Sequence, residues 1–123
     1  MRVELVMRVG AAIAFCAVLL VVLSPRPSTA IGLDGLHGKV QVGASICFTD
    51  HQHRGGSRQM PTRDAAITDA IRSWTSLVVL EYGSRWSDFR RSVAQQITCN
   101  PAAAGPQGRG WVCNIVSRPC MPL

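Results

Sequence analysis

The stretch TRDAAITDAIRSWTSLVVLEYG, residues 62–83, carries the clearest pattern in this chain. At 3.6 residues per turn, Ile67, Ala70, Ile71, Trp74, Leu77, Val78, Glu81 and Tyr82 share one face. Glu81 alone among them is not apolar, while positions 64, 68, 69, 72, 73, 75 and 76 on the other side are all polar. That arrangement predicts an amphipathic helix with one buried stripe. Thr62 stands where a hydroxyl can accept from the free amides of the first turn. Asp64 complements the positive end of the helix dipole, and Gly83 falls where a left-handed C-terminal cap is wanted. A rival reading makes LVVLEY, residues 77–82, a strand, since it is rich in strand formers; the unbroken helical period favours the helix. Asp69 and Arg72, three apart, predict a surface ion pair.

Working outward from that helix, Ser84 can cap a shorter helical extension with Trp86, Phe89, Arg90 and Val93 at helical spacing. After Ala94 the period shortens. Ile97 to Cys99 and Trp111 to Val116 read as two strands around the proline- and glycine-rich loop NPAAAGPQGRG, residues 100–110. They predict an antiparallel hairpin that turns Ile97, Cys99, Trp111, Cys113 and Ile115 toward the helix. The last six residues read as an extended tail pinned by Cys120. Upstream, Gly32, Gly35, Gly38 and Gly43 punctuate a flexible arm with room for a short strand around Ser45 to Thr49. Gly55-Gly56, inside DHQHRGGSRQM at 50–60, argues against regular structure there. The fold class that follows is α+β: one long helix with a short extension, packed on a small antiparallel sheet. Three regions follow: a leader (1–30), a flexible arm (31–60) and a helix-plus-hairpin domain (61–123).

The leader has its own logic. Two arginines and one glutamate precede Val9 to Leu23, fifteen residues without charge; Pro25 ends that run and Ser28-Thr29-Ala30 supplies small residues. This is the layout of a secretory signal peptide. The apolar run is shorter than the roughly 20 residues that span a bilayer, so membrane contact is expected only if the leader is not cleaved. Cleavage after Ala30 would leave 93 residues and remove Cys16. Cys47, Cys99, Cys113 and Cys120 would remain, and an even cysteine count in a small exported chain reads as two disulfides. Four cysteines allow three pairings, and spacing does not choose among them. The gaps exceed the two to four residues typical of cysteine zinc sites.

Without Arg2, Arg8, Arg26 and Glu4 the chain keeps ten basic and six acidic residues, a balance of +4. A cationic protein of this kind can touch anionic surfaces, but no basic run marks a specific nucleic-acid site. The densest basic spot is Arg85, Arg90 and Arg91 around Trp86, and these four are the candidate partner-binding residues. The favoured expectation is a non-enzymatic periplasmic or secreted protein that binds another protein or the anionic envelope surface, with no cofactor.

The order Trp74, Tyr82-Gly83, Trp86, Phe89, Cys99, Trp111-x-Cys113 and Pro119-Cys120 resembles a group of small exported α-proteobacterial proteins with no assigned function. The likeness spans about Ala65 to Cys120. It implies export and a stapled helix-plus-hairpin unit, and it assigns no residue a catalytic role.

Few constellations carry chemistry. No Gly-x-Ser-x-Gly elbow, phosphate loop, dinucleotide fingerprint or calcium loop occurs, leaving a small hydrolase or inhibitor only as a class without visible residues. Metal capture rests on His51 and His53: imidazoles two apart on an extended segment point the same way. Asp50 next door and His37 upstream are the groups that could complete a copper or zinc site. The competing expectation for Asp50 to Met60 is a solvated loop.

Overall fold

The computed structural model describes residues 30–105 and 108–123. The signal peptide expected over residues 1–30, with Cys16, lies outside the described residues except for Ala30. One helix packs on two three-stranded antiparallel sheets, the α+β arrangement the periodicity predicts. Helix α1 runs Arg63–Tyr82. Strands β1 (Lys39–Val42), β2 (Ser45–Phe48) and β6 (Cys120–Pro122) form one sheet in the order β1-β2-β6. Strands β3 (His53–Gly56), β4 (Val93–Gly105) and β5 (Gly108–Arg118) form the other in the order β3-β5-β4.

Local chemistry sets the ends of α1. The Thr62 hydroxyl accepts from the Ala65 amide at 3.1 Å. At the other end Gly83 adopts φ 94° and donates its amide to the Val79 carbonyl at 3.0 Å, a positive φ that glycine supplies without steric cost. The buried stripe is rotated slightly from the predicted one. Ala66, Ala70, Trp74, Val78 and Tyr82 form its centre, every fourth residue, while Leu77 and Leu80 remain 42% and 54% exposed. The rotation carries Asp69 inward from the side expected to be polar.

Asp69 is only 9% exposed, and its main partner is not Arg72 but Arg58. That residue donates its backbone amide to Oδ2 at 3.0 Å and its guanidinium NH2 to Oδ1 at 3.2 Å. Arg72 adds a contact at 3.5 Å. The cluster ties the chain leaving β3 to α1. Hydrogen bonds from the Arg58 side chain, then from its backbone, hold the Asp69 carboxyl below its usual range. A carboxylate with a depressed folded-state pKa contributes stability that is complete above about pH 4 and lost as pH falls below it. Asp69→Asn is therefore expected to lower the melting temperature at pH 7, with the gap to the parent narrowing below pH 4. Thermal melts followed by circular dichroism would show it, and a gap constant with pH would refute the ionic account.

Three expectations need correction. The extension after α1 is helical but not continuous: it consists of two short 3-10 helices, Ser84–Trp86 and Phe89–Arg91. Side chains there are claimed by the core: Trp86 stacks on Phe48 at 4.2 Å and Phe89 meets Trp74 edge-on at 5.2 Å. The hairpin is longer than its sequence pattern, because Asn100, Pro101 and Ala102 continue the ladder opposite Val112, Trp111 and Gly110. Pro101 is tolerated because β4 is an edge strand.

The third concerns residues 31–60, expected as an arm with one short strand, which carry β1, β2 and β3. Gly55-Gly56 was expected to bar regular structure, yet both lie in β3. A side chain at Gly55 would run into the Ala70 carbonyl and sit 2.7 Å from Trp74 Cβ. Glycine therefore marks the place where the helix backbone rests directly on the strand.

The disulfides join Cys47 to Cys120 and Cys99 to Cys113. Each links directly opposed residues of neighbouring antiparallel strands, β2 with β6 and β4 with β5. Each sheet therefore carries one covalent cross-link. No described helix is long and apolar enough to cross a membrane.

Candidate metal centre

Phe48 at the end of β2 packs against Tyr82 at the C-terminal end of α1, and the connection between β2 and β3 crosses there, its His51 ring 5.9 Å from the Tyr82 ring. Arg118 clasps this crossing by donating one guanidinium nitrogen to the carbonyls of Phe48 and Thr49. The Thr49 amide also bonds the Gly38 carbonyl at 2.9 Å. Beyond the clasp, His53 enters β3 opposite Ser117 of β5 with its side chain inward, 8% exposed. His51 lies on the short extended connection just before it. Glu81 and Tyr82 occupy the last turn of α1, and His37 ends the 3-10 turn Leu33–Leu36.

These four segments bring all three histidines of the chain together. The Nε2 atoms of His51 and His53 face each other at 3.1 Å. Glu81 Oε2 lies 3.1 Å from the same His53 nitrogen, and the Tyr82 hydroxyl also lies 3.1 Å from it. The Tyr82 oxygen is 3.2 Å from His37 Nε2, and the His37 ring stacks on His51 at 4.1 Å between centroids. Ligand atoms of His51, His53 and Glu81 all lie within 4.8 Å of one another.

One ring nitrogen cannot satisfy all these neighbours with protons. Neutral His53 Nε2 offers either one N–H or one lone pair, yet an imidazole nitrogen, a carboxylate oxygen and a phenol oxygen approach it at the same distance. A cation among these atoms would resolve the crowding. Ligands held at about 2.0–2.1 Å around a tetrahedral ion stand about 3.3 Å apart, close to the His51–His53 and His53–Glu81 spacings of 3.1 Å. The donor set is nitrogen and oxygen only, since all four cysteines of the folded domain are in disulfides. Imidazole with carboxylate suits zinc and copper(II).

Electrostatics keep the donors available. Burial is the largest influence on His51, reinforced by the other two imidazoles, and it lowers the pKa of that ring. Burial also dominates at His53, where it outweighs the opposing pull of Glu81. Both rings are thereby biased toward the neutral form, which is the form that ligates metal. Burial and then hydrogen bonding with Glu81 push the Tyr82 phenol up, so it remains a protonated donor.

Of the residues singled out in the sequence, His51, His53 and His37 converge, whereas Asp50 does not. Its carboxylate accepts from the neighbouring Thr49 hydroxyl at 3.1 Å. Glu81 takes the place expected of it. The sequence did carry a signal for this, because Glu81 is the one charged residue on the otherwise apolar face of α1. The basic cluster fares differently. Trp86, a candidate for partner contact, is 3% exposed and stacked in the core, so it offers no surface. Arg90 and Arg91 both pair with Asp88, at 3.2 and 3.5 Å, and Arg85 reaches the Pro122 carbonyl. One of the three positive charges expected at that spot is thereby offset. No protein-family model, curated protein or solved structure matches the chain.

Proposed function

We propose that this is an exported protein that takes up one copper(II) or zinc ion through His51, His53 and Glu81. The observation that supports this most directly is the pair of facing imidazole nitrogens at 3.1 Å with the Glu81 carboxylate at the same distance from one of them. His37 and Tyr82 stand around that set and would orient it: Tyr82 hydrogen-bonds with Glu81, and His37 packs on the His51 ring. Metal would join two segments remote in sequence, the β2–β3 connection where it runs into β3 and the end of α1. Export is inferred from the leader, and the two disulfides agree with an oxidising compartment. Binding to an anionic envelope surface through Arg85, Arg90 and Arg91 has less behind it, since Asp88 occupies two of the three guanidiniums.

Calorimetric titration of the folded domain with copper(II) or zinc should show one ion per chain. Loss of an outer partner of a metal ligand typically lowers affinity by about 10–100-fold, and Tyr82→Phe is expected in that range. His51→Ala, His53→Ala and Glu81→Gln should each cost more, and the double histidine variant should be silent. Absence of heat at micromolar metal in the parent protein would end this reading. Saturation should also stabilise the fold, by about 2.7 kcal/mol when free metal is 100 times the dissociation constant.

A further inference from the structure

Helix α1 is twenty residues long and ends without a cation: its last turn carries no basic residue, and Glu81 adds a negative charge there. The usual complement to the negative end of a helix dipole is therefore missing from its own sequence. The first described residues stand at that end. The Ile31 amide bonds the Leu80 carbonyl at 3.0 Å and the Gly32 amide bonds the Glu81 carbonyl at 3.1 Å. Together with the Gly83 amide on Val79, they satisfy three of the helix's terminal carbonyls. Independently, Ser28 and Ala30 place small residues where a signal peptidase reads them. The bond that such a peptidase would cut is the one whose nitrogen already touches the helix end.

We propose that export processing hydrolyses the Ala30–Ile31 peptide bond and that the resulting α-ammonium of Ile31 docks on the C-terminal carbonyls of α1 as its missing charge. Water adds across the C–N bond under signal peptidase. Ala30 departs with the leader as a carboxylate, and Ile31 keeps the nitrogen as an ammonium. A single N–H donor becomes three with a unit positive charge, beside Leu80 and one residue from Glu81. Ile31 is 61% exposed, so the new terminus lies at the protein surface. Processing would then finish the fold as well as release it. This inference does not depend on the metal site.

The test compares three metal-free chains, treated with chelator: one starting at Ile31 with a free amine, one with N-acetyl-Ile31, and one extended by Thr29-Ala30. The acetylated chain keeps one N–H toward Leu80 but carries no charge. The free-amine chain is expected to melt about 2–8 °C higher than either of the others at pH 6. Intact mass of the protein exported by its own leader should correspond to Ile31–Leu123 with two disulfides. Equal melting of the free and acetylated chains would overturn the docked ammonium. A mature mass beginning at another residue would overturn the cleavage position.

Discussion

Gly55→Ala is expected to remove a large part of the stability of this domain. The new methyl would collide with the Ala70 carbonyl and lie 2.7 Å from Trp74 Cβ and 2.8 Å from the Trp74 amide nitrogen. Two of those three atoms belong to the backbone of α1, and the third is attached to it, so no rotamer change can relieve the overlap. Either the helix lifts from β3 or the strand leaves β5. Overpacking a core costs about 1–3 kcal/mol and sometimes more, and an obstruction between two backbones belongs at the upper end. A fall of about 3 kcal/mol is large against the roughly 5–15 kcal/mol of a typical domain. It corresponds to a melting temperature about 12–24 °C lower. Gly56→Ala is the control. Its added methyl would meet only the Asn114 side-chain oxygen, at 3.4 Å, and should change stability by less than about 0.5 kcal/mol. Equal melting of the two variants would mean that the helix does not rest on β3 at Gly55. His53 begins the same strand, so Gly55→Ala should also abolish metal uptake.

The disulfides give the second large effect, and their ranking is the informative part. Cys47–Cys120 spans 73 positions and Cys99–Cys113 spans 14. Restricting the unfolded chain over those lengths is worth about 4.4 and about 3 kcal/mol respectively. Replacing Cys47 and Cys120 together by alanine should therefore destabilise more than replacing Cys99 and Cys113. Packing acts in the same direction, because Cys47 and Cys120 are both fully buried whereas Cys99 is only partly so. The longer cross-link also holds the last strand, β6, against β2. Urea denaturation of the two double variants measures the order directly. A larger loss from the Cys99–Cys113 pair would show that strand pairing, not chain restriction, dominates their contribution.

The reach of sequence reasoning here follows the range of the interactions concerned. Thr62, Gly83 and the apolar spacing from Ile67 to Tyr82 act within a turn or two, and the helix they predict stands where they place it. The stripe is off-centre because burial is set by what lies opposite. Strand β3 and the 3-10 turns are instead set by the core they pack on. Gly55 looks like a chain breaker until Ala70 and Trp74 are placed against it, and Trp86 looks available until Phe48 is stacked on it. His51 and His53 were visible as a pair because two residues on an extended chain share a side. Adjacent Asp50 is the carboxylate that the sequence suggests beside them, but it is Glu81 that lies 3.1 Å from His53.

Read alone, the order of amino acids established the long helix, the capacity for two sulfur bridges and the mixed α+β class, since period, capping chemistry and cysteine parity are local or countable properties. The pairing of the cysteines, the strand at Gly55-Gly56 and the gathering of the histidines with Glu81 came from the folded arrangement. Tyr82 meets His53 and His37 across 29 and 45 positions of chain, and contacts of that length depend on how helix and sheets pack, which no neighbouring residue encodes.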